Sequence, residues 1–192
     1  MENFEIKYNN EVPKTGSLLI SEPFQLDYIF NRSVIMLCEH NIEGSFGVVL
    51  NKPSPFLVKD IVKELSTVDF PLFMGGPVDP KRLFYIHDQG DIIPKSVRIN
   101  KNFFWGGDVE VVKSLMDAGK LSKHNIRFFL GYSGWDPKQL TEELQYNSWV
   151  VLNKSFKDIF VHNPSALWKR SVSKLGENYA FWKKLPKDPM LN

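Results

Sequence analysis

The sequence predicts an α+β domain built on a mixed β-sheet, and three patterns carry that expectation. Residues 33–38 (S-V-I-M-L-C) and 46–51 (F-G-V-V-L-N) are β-rich runs joined by the turn-forming E-H-N-I-E-G-S, which reads as a hairpin with a loop longer than two residues. Residues 126–130 are an apolar run that turns through Gly131 and Gly134 into a helix from Pro137 to near Trp149, a strand–turn–helix unit. A third helical pattern follows Pro55. Hairpins and strand–helix–strand units in one chain belong to the α+β class.

The elements follow in order. The first dozen residues read as a loose arm, and 18–20 as a short strand ended by Pro23. Both hairpin runs are almost continuously apolar, so they are expected to be covered on both faces and central to the sheet. After Pro53 and Pro55 the period changes, with Leu57, Ile61, Val62 and Leu65 on one helical face. Two strands, P-L-F-M and L-F-Y-I-H, flank Gly75-Gly76-Pro77, and residues 89–100 carry mixed signals. Phe103 to Trp105 is a short aromatic run. Asp108 then caps a helix with Val109, Val112, Leu115 and Met116 inward, stopped by Gly119. Asp136-Pro137 starts the next helix, with Gln139 placed as the reciprocal partner of a capping box. Trp135 and Trp149 bracket that helix as buried anchors. V-V-L-N is a last strand, and Asn163-Pro164 opens a helix with Leu167, Trp168, Val172 and Leu175 inward, ended or bent by Gly176.

A chain of 192 residues, 43% apolar and 14% aromatic, holds a real core, burying roughly 70% of its unfolded surface. The net charge of +2 predicts no polyanionic partner. Cys38 is the single cysteine, which excludes an internal disulfide and a cysteine-based zinc site, and its apolar strand predicts a buried, slow-reacting thiol. The first ten residues lack a basic and apolar leader pattern, and no run approaches the roughly 20 apolar residues of a membrane span. The expectation is a soluble, cytoplasmic protein.

G-Y-S-G-W resembles a nucleophile elbow in context, but Trp135 stands where the second glycine belongs, so Ser133 reads as a plain turn serine. Asp108 and Asp136 fill the helix starts that would otherwise cradle an anion. His40, His87, His124 and His162 form no H-x-H or H-E-x-x-H pair. His40 follows Glu39 and His87 precedes Asp88 at strand ends, a metal or acid/base site only if those ends are neighbours; hydrogen-bonded loop histidines are the plainer reading. Glu142 or Glu143 is expected to pair with Arg127 or Arg32. Residues 164–192 carry six basic residues against two acidic, interleaved with Trp168, Tyr179, Phe181 and Trp182, and read as solvated charges around a packed aromatic anchor.

The blocks G-S-L-L-I-S-E-P, F-N-R-S-V-I-M-L-C-E-H, G-S-F-G-V-V-L-N-K-P, G-G-P-V and F-L-G-Y-S-G-W followed by Q-L and E-L, across residues 16–149, resemble the AlgH/YqgE family of bacterial proteins. Thr141 stands where the family pattern carries an acidic residue. The resemblance implies a single domain over residues 1–192 with a small barrel-like, split sheet flanked by helices. It also implies an association with transcriptional regulation and no established enzymatic activity. The functional expectation is a regulatory or interaction protein that binds a small ligand or a protein partner. Its ligand-binding candidates are Glu39, His40, Asn51 and His87, with Arg127, Tyr132, Trp135 and Glu143. No catalytic residue, metal or cofactor is assigned. A DNA-binding regulator and an enzyme with a His/carboxylate site are the alternatives, and duplex DNA is expected to bind only weakly and without sequence preference.

Overall fold

A computed structural model describes residues 11–65, 69–154, 159–160 and 163–186. Most of the expected N-terminal arm, and His162, lie outside the described residues. The strands are β1 (Leu18–Ser21), β2 (Val34–Asn41), β3 (Gly44–Val49), β4 (Pro53–Leu57), β5 (Pro71–Met74), β6 (Val78–His87), β7 (Val97–Arg98), β8 (Phe104–Trp105), β9 (Ile126–Trp135) and β10 (Trp149–Leu152). The helices are α1 (Val58–Ile61), α2 (Val109–Asp117), α3 (Gln139–Gln145) and α4 (Pro164–Leu175), with 3-10 turns at Lys63–Leu65 and Glu177–Lys184.

The sheet runs β10-β1-β2-β3-β9-β6-β8-β7, with β5 and β4 branching from β9. β9 holds its two halves together. Its first residues lie between β5, parallel (Phe73↔Phe129), and β6, antiparallel (Phe84↔Phe129), whereas its last residues pair with β3 (Phe46↔Gly134). The remaining pairings are antiparallel, so the sheet is mixed as expected. It does not close: the barrel-like part implied by the family resemblance is an open, split sheet with β10 and β7 at its ends.

Three apolar clusters fill the layers. Between the halves lie Met36, Cys38, Val48 and Leu50 from one side and Phe73, Phe84 and Phe129 from the other, closed by Trp168, Val172, Tyr179 and Trp182. Outside the first half, Ile35, Leu37 and Val49 pack on Trp135, Leu140, Leu144 and Trp149. Outside the second, Tyr85, Phe128 and Leu130 pack on Val58, Val112 and Met116. Alternate residues of β2 and β3 thus enter different clusters, which is why both runs are apolar throughout.

Several expectations change in three dimensions. The hairpin loop is only Ile42-Glu43, because β2 and β3 extend to an Asn41↔Gly44 pair; the Asn41 side chain accepts the Glu43 N–H at 2.8 Å and closes the turn. Residues 131–135 continue β9 instead of turning. Gly131 does adopt φ +65, but it bends the strand where the backbones of β5 and β9 meet, and the Gly75 N–H donates to the Leu130 carbonyl at 2.7 Å. Ser133 is buried within that strand and donates to the Gly75 carbonyl. The helix after Pro55 shrinks to α1, since Leu57 pairs with Pro71 of β5 and Val62 leaves helical angles (φ −124, ψ 88) before the 3-10 turn; Ile61 is exposed. Val109 is also exposed, leaving Val112 and Met116 as the buried stripe of α2. α3 starts from Lys138 in the left-handed region, not from Asp136, although the Gln139 side chain does accept the Asp136 N–H at 2.9 Å. Trp149 opens β10.

Other local expectations hold. Asp108 caps α2 by accepting the Glu110 N–H, and Asn163 caps α4 by accepting the Ser165 N–H, with Gly176 at its end. In the C-terminal segment the rings of Trp168 and Trp182 stack at 6.3 Å, and the Arg32 guanidinium lies 5.0 Å over Trp168. Trp168, Tyr179 and Trp182 are core residues, while Lys169 and Lys184 are exposed. Cys38 is buried, and burial together with the neighbouring Glu39 charge pushes its thiol well above the ordinary range. A thiol reagent is therefore expected to label the protein only after denaturation; rapid labelling of the folded chain would contradict this.

Candidate functional site

A groove of about 610 Å³ opens where β9 passes from one half of the sheet to the other. Strand alternation makes its floor. Tyr132 and Gly134 face it while Ser133 points the opposite way to Gly75. Phe46 from β3, Phe84 from β6 and Trp105 from β8 converge on Tyr132. Phe46 meets Trp105 edge-on at 5.0 Å and Tyr132 at 5.9 Å, and Phe84 meets Tyr132 at 5.4 Å. Phe46, Trp105 and Tyr132 are only partly buried. The Trp105 indole N–H is buried with no hydrogen-bond partner among the described residues.

Charge surrounds this floor. Glu39, Glu43, Asp136 and Arg82 line the groove. A bulge in β2, between the pairs Leu37↔Gly47 and Glu39↔Phe46, sets Glu39 opposite Phe46 on the groove side. The Arg82 guanidinium lies 5.0 Å over the Phe84 ring.

Of the sequence candidates, Glu39, Tyr132 and Trp135 share this groove. His40 backs it, its Nδ1 2.6 Å from the hydroxyl of Ser45, which also lines the groove, and burial lowers its pKa. The others lie elsewhere. Asn51 is buried and ties the β2 start to β3: its Oδ1 accepts the Val34 N–H and its Nδ2 donates to the Arg32 carbonyl, both at 2.9 Å. Arg127 is buried against the rings of Phe73 and Phe160, donates to the Leu50 and Phe160 carbonyls, and is held down to about 10 by burial. Glu143 makes no ion pair with Arg127 or Arg32, contrary to the expected pairing. Its Oε2 accepts the indole N–H of both Trp135, at 2.8 Å, and Trp149, at 2.7 Å. Two buried indoles need an acceptor, and a half-buried carboxylate at mid-helix supplies it.

The histidine ends do not meet. His87 is opposite Ile126 at the start of β9, whereas His40 is opposite Ser45, itself opposite Trp135 at the end of β9. Among the described residues no three His, Cys, Asp or Glu side chains gather as a metal site. His87 is fully buried; its Nδ1 accepts the Gln89 N–H at 3.1 Å, so Nε2 carries the proton and donates to the Gly106 carbonyl at 2.9 Å. Burial lowers its pKa, partly offset by that bond and by Asp88. The unfolded chain therefore takes up the proton first as pH falls through about 6.5. Stability is fully present above that pH and falls below it. Chemical denaturation from pH 7 to 5 should show this slope, and His87→Gln should flatten it; an unchanged slope would assign it to other groups.

Sequence reasoning did not single out Phe46, Arg82, Phe84 and Trp105. Reading residues 126–135 as one uninterrupted strand would have placed Tyr132 and Gly134 on one face and pointed to the groove.

No helix among the described residues is long and apolar enough to cross a membrane. Residues 18–180 match the family model described as AlgH-like. A UPF0301 protein of Bacteroides fragilis is 40% identical over 190 residues, covering 98% of this chain and 96% of that one. A UPF0301 protein of Parabacteroides distasonis is 43% identical over 191 residues, with coverage of 98% and 96%. A crystal structure of a Corynebacterium diphtheriae protein superposes with a TM-score of 0.76 at 23% identity, covering 96% of this chain and 100% of that one. The solution structure of the AlgH protein from Pseudomonas aeruginosa superposes with a TM-score of 0.70 at 24% identity, covering 93% and 98%. These last two share the fold. The match over most of the chain, and the full-length relatives, show that this chain belongs to the AlgH-like, UPF0301 family.

Proposed function

We propose that the protein is a cytoplasmic regulatory or interaction protein that binds a small ligand or a protein partner in the groove at the β9 crossing, and that it is not itself an enzyme. The observation that carries this reading is the cluster of partly buried rings Phe46, Trp105 and Tyr132, gathered from three strands into one concavity and ringed by charge. Apolar surface with a few convergent polar groups is the common make-up of a binding pocket.

Native mass spectrometry of protein purified from its own host tests it. A bound mass present on the wild type and lost in Tyr132→Ala and in Glu39→Lys, both with unchanged thermal midpoints, supports the groove. Equal occupancy in all three would refute it.

Duplex DNA is the weaker reading, because Trp168, Tyr179 and Trp182 of the basic segment are in the core and so cannot stack on bases. Titration of labelled duplexes should give dissociation constants on the order of 10⁻⁴–10⁻⁶ M at physiological salt, without sequence preference. Nanomolar affinity for one sequence over scrambled controls would put a DNA-binding regulator first.

A further inference from the structure

Resting on the groove as the binding site, we infer that its occupant is an arginine side chain presented by an extended segment of a partner protein. The rim is acidic. Among the described residues, Glu39 from β2, Glu43 from the hairpin turn and Asp136 after β9 face a single cation, Arg82. None of these four joins an ion pair among the described residues. The rim therefore presents net negative charge around a partly exposed aromatic floor.

Arg82 shows which chemistry that floor accepts. Its guanidinium turns away from ion pairing and lies on the face of Phe84, in the same ring cluster as Phe46, Trp105 and Tyr132. A planar guanidinium is weakly hydrated, stacks on rings and bonds carboxylates through two parallel N–H groups. A second guanidinium entering from outside meets both partners at once: ring faces beneath and carboxylates at the rim. An ammonium lacks the flat face, and a neutral amide lacks the charge. The groove, about 610 Å³, is larger than one side chain fills, which leaves room for the flanking main chain.

The test is a titration of the ¹⁵N-labelled protein followed through the Trp105 indole N–H and the backbone amides of Phe46, Tyr132 and Gly134. The probes are acetyl-Gly-Arg-Gly-amide, its citrulline and lysine counterparts, and agmatine. The arginine peptide is expected to shift these signals saturably, with the citrulline peptide about tenfold weaker, the loss expected for a charge-assisted pair. The double variant Glu39→Gln with Asp136→Asn should weaken the arginine peptide by a similar factor while its thermal midpoint stays put. A citrulline peptide that binds as tightly would overturn selection for the guanidinium and leave the groove reading standing. Lysine binding equal to arginine would overturn the stacking argument, and agmatine matching the peptide would overturn the peptide source. No saturable shift with any probe overturns the inference outright, and the native mass measurement on Tyr132→Ala and Glu39→Lys then judges the groove reading separately.

Discussion

Replacing Trp135 with alanine is expected to lower the free energy of unfolding by about 3–5 kcal/mol, measured by chemical denaturation. Trp135 is 6% exposed, and its ring meets that of Trp149 edge-on at 6.2 Å, within the cluster that holds α3 against the first half of the sheet. Truncation removes that packing and leaves a cavity, and it also strips Glu143 Oε2 of one of its two indole donors. The polar part separates from the packing part through Glu143. Glu143→Gln keeps an acceptor oxygen and should cost little. Glu143→Leu leaves two buried indole N–H groups unsatisfied, each costing about 1–3 kcal/mol. A Trp135→Ala midpoint equal to wild type would mean that the α3 layer contributes nothing to the folded state.

Gly131→Ala should cost about 2–5 kcal/mol, combining left-handed strain with overpacking. At φ +65, a Cβ there would sit 2.6 Å from the Gly76 carbonyl oxygen and 2.9 Å from that of Val78, both main-chain atoms that cannot swing aside. Gly119 is the internal control. Its φ is +66, nearly the same, but a Cβ there meets nothing within 4 Å. Gly119→Ala should therefore show only the conformational cost, about 1–2 kcal/mol. The difference between the two variants isolates the close approach of the glycine-rich turn before β6 to β9. Equal costs would show that this approach is soft, and that the bend in β9 is held by something other than the absence of a side chain.

Features that depend on neighbours in the chain were legible from residue type and spacing. The caps at Asp108 and at Asn163-Pro164, the stop at Gly176 and the reach of the Gln139 side chain to the Asp136 N–H all lie within a few residues of their partners, so residue type and spacing suffice. The same holds for β2 and β3, because burial on both faces imposes an apolar run that is visible without knowing what covers it. Several expectations needed partners far along the chain. Whether residues 131–135 turn or extend was ambiguous locally, since glycines serve both; the pairing of Ser45, Phe46 and Gly47 with Trp135, Gly134 and Ser133 decided for a strand. Leu57, the first residue of the expected helical face, pairs as a strand, because β5 offers a partner there. Glu142 or Glu143 was expected to meet an arginine and Glu143 meets two indoles, and the groove collects residues from positions 39 to 139. Only the tertiary structure could bring these together, because sheet register joins segments as far apart as Leu18 and Leu152, and local propensity carries no information about which distant edge a strand will find.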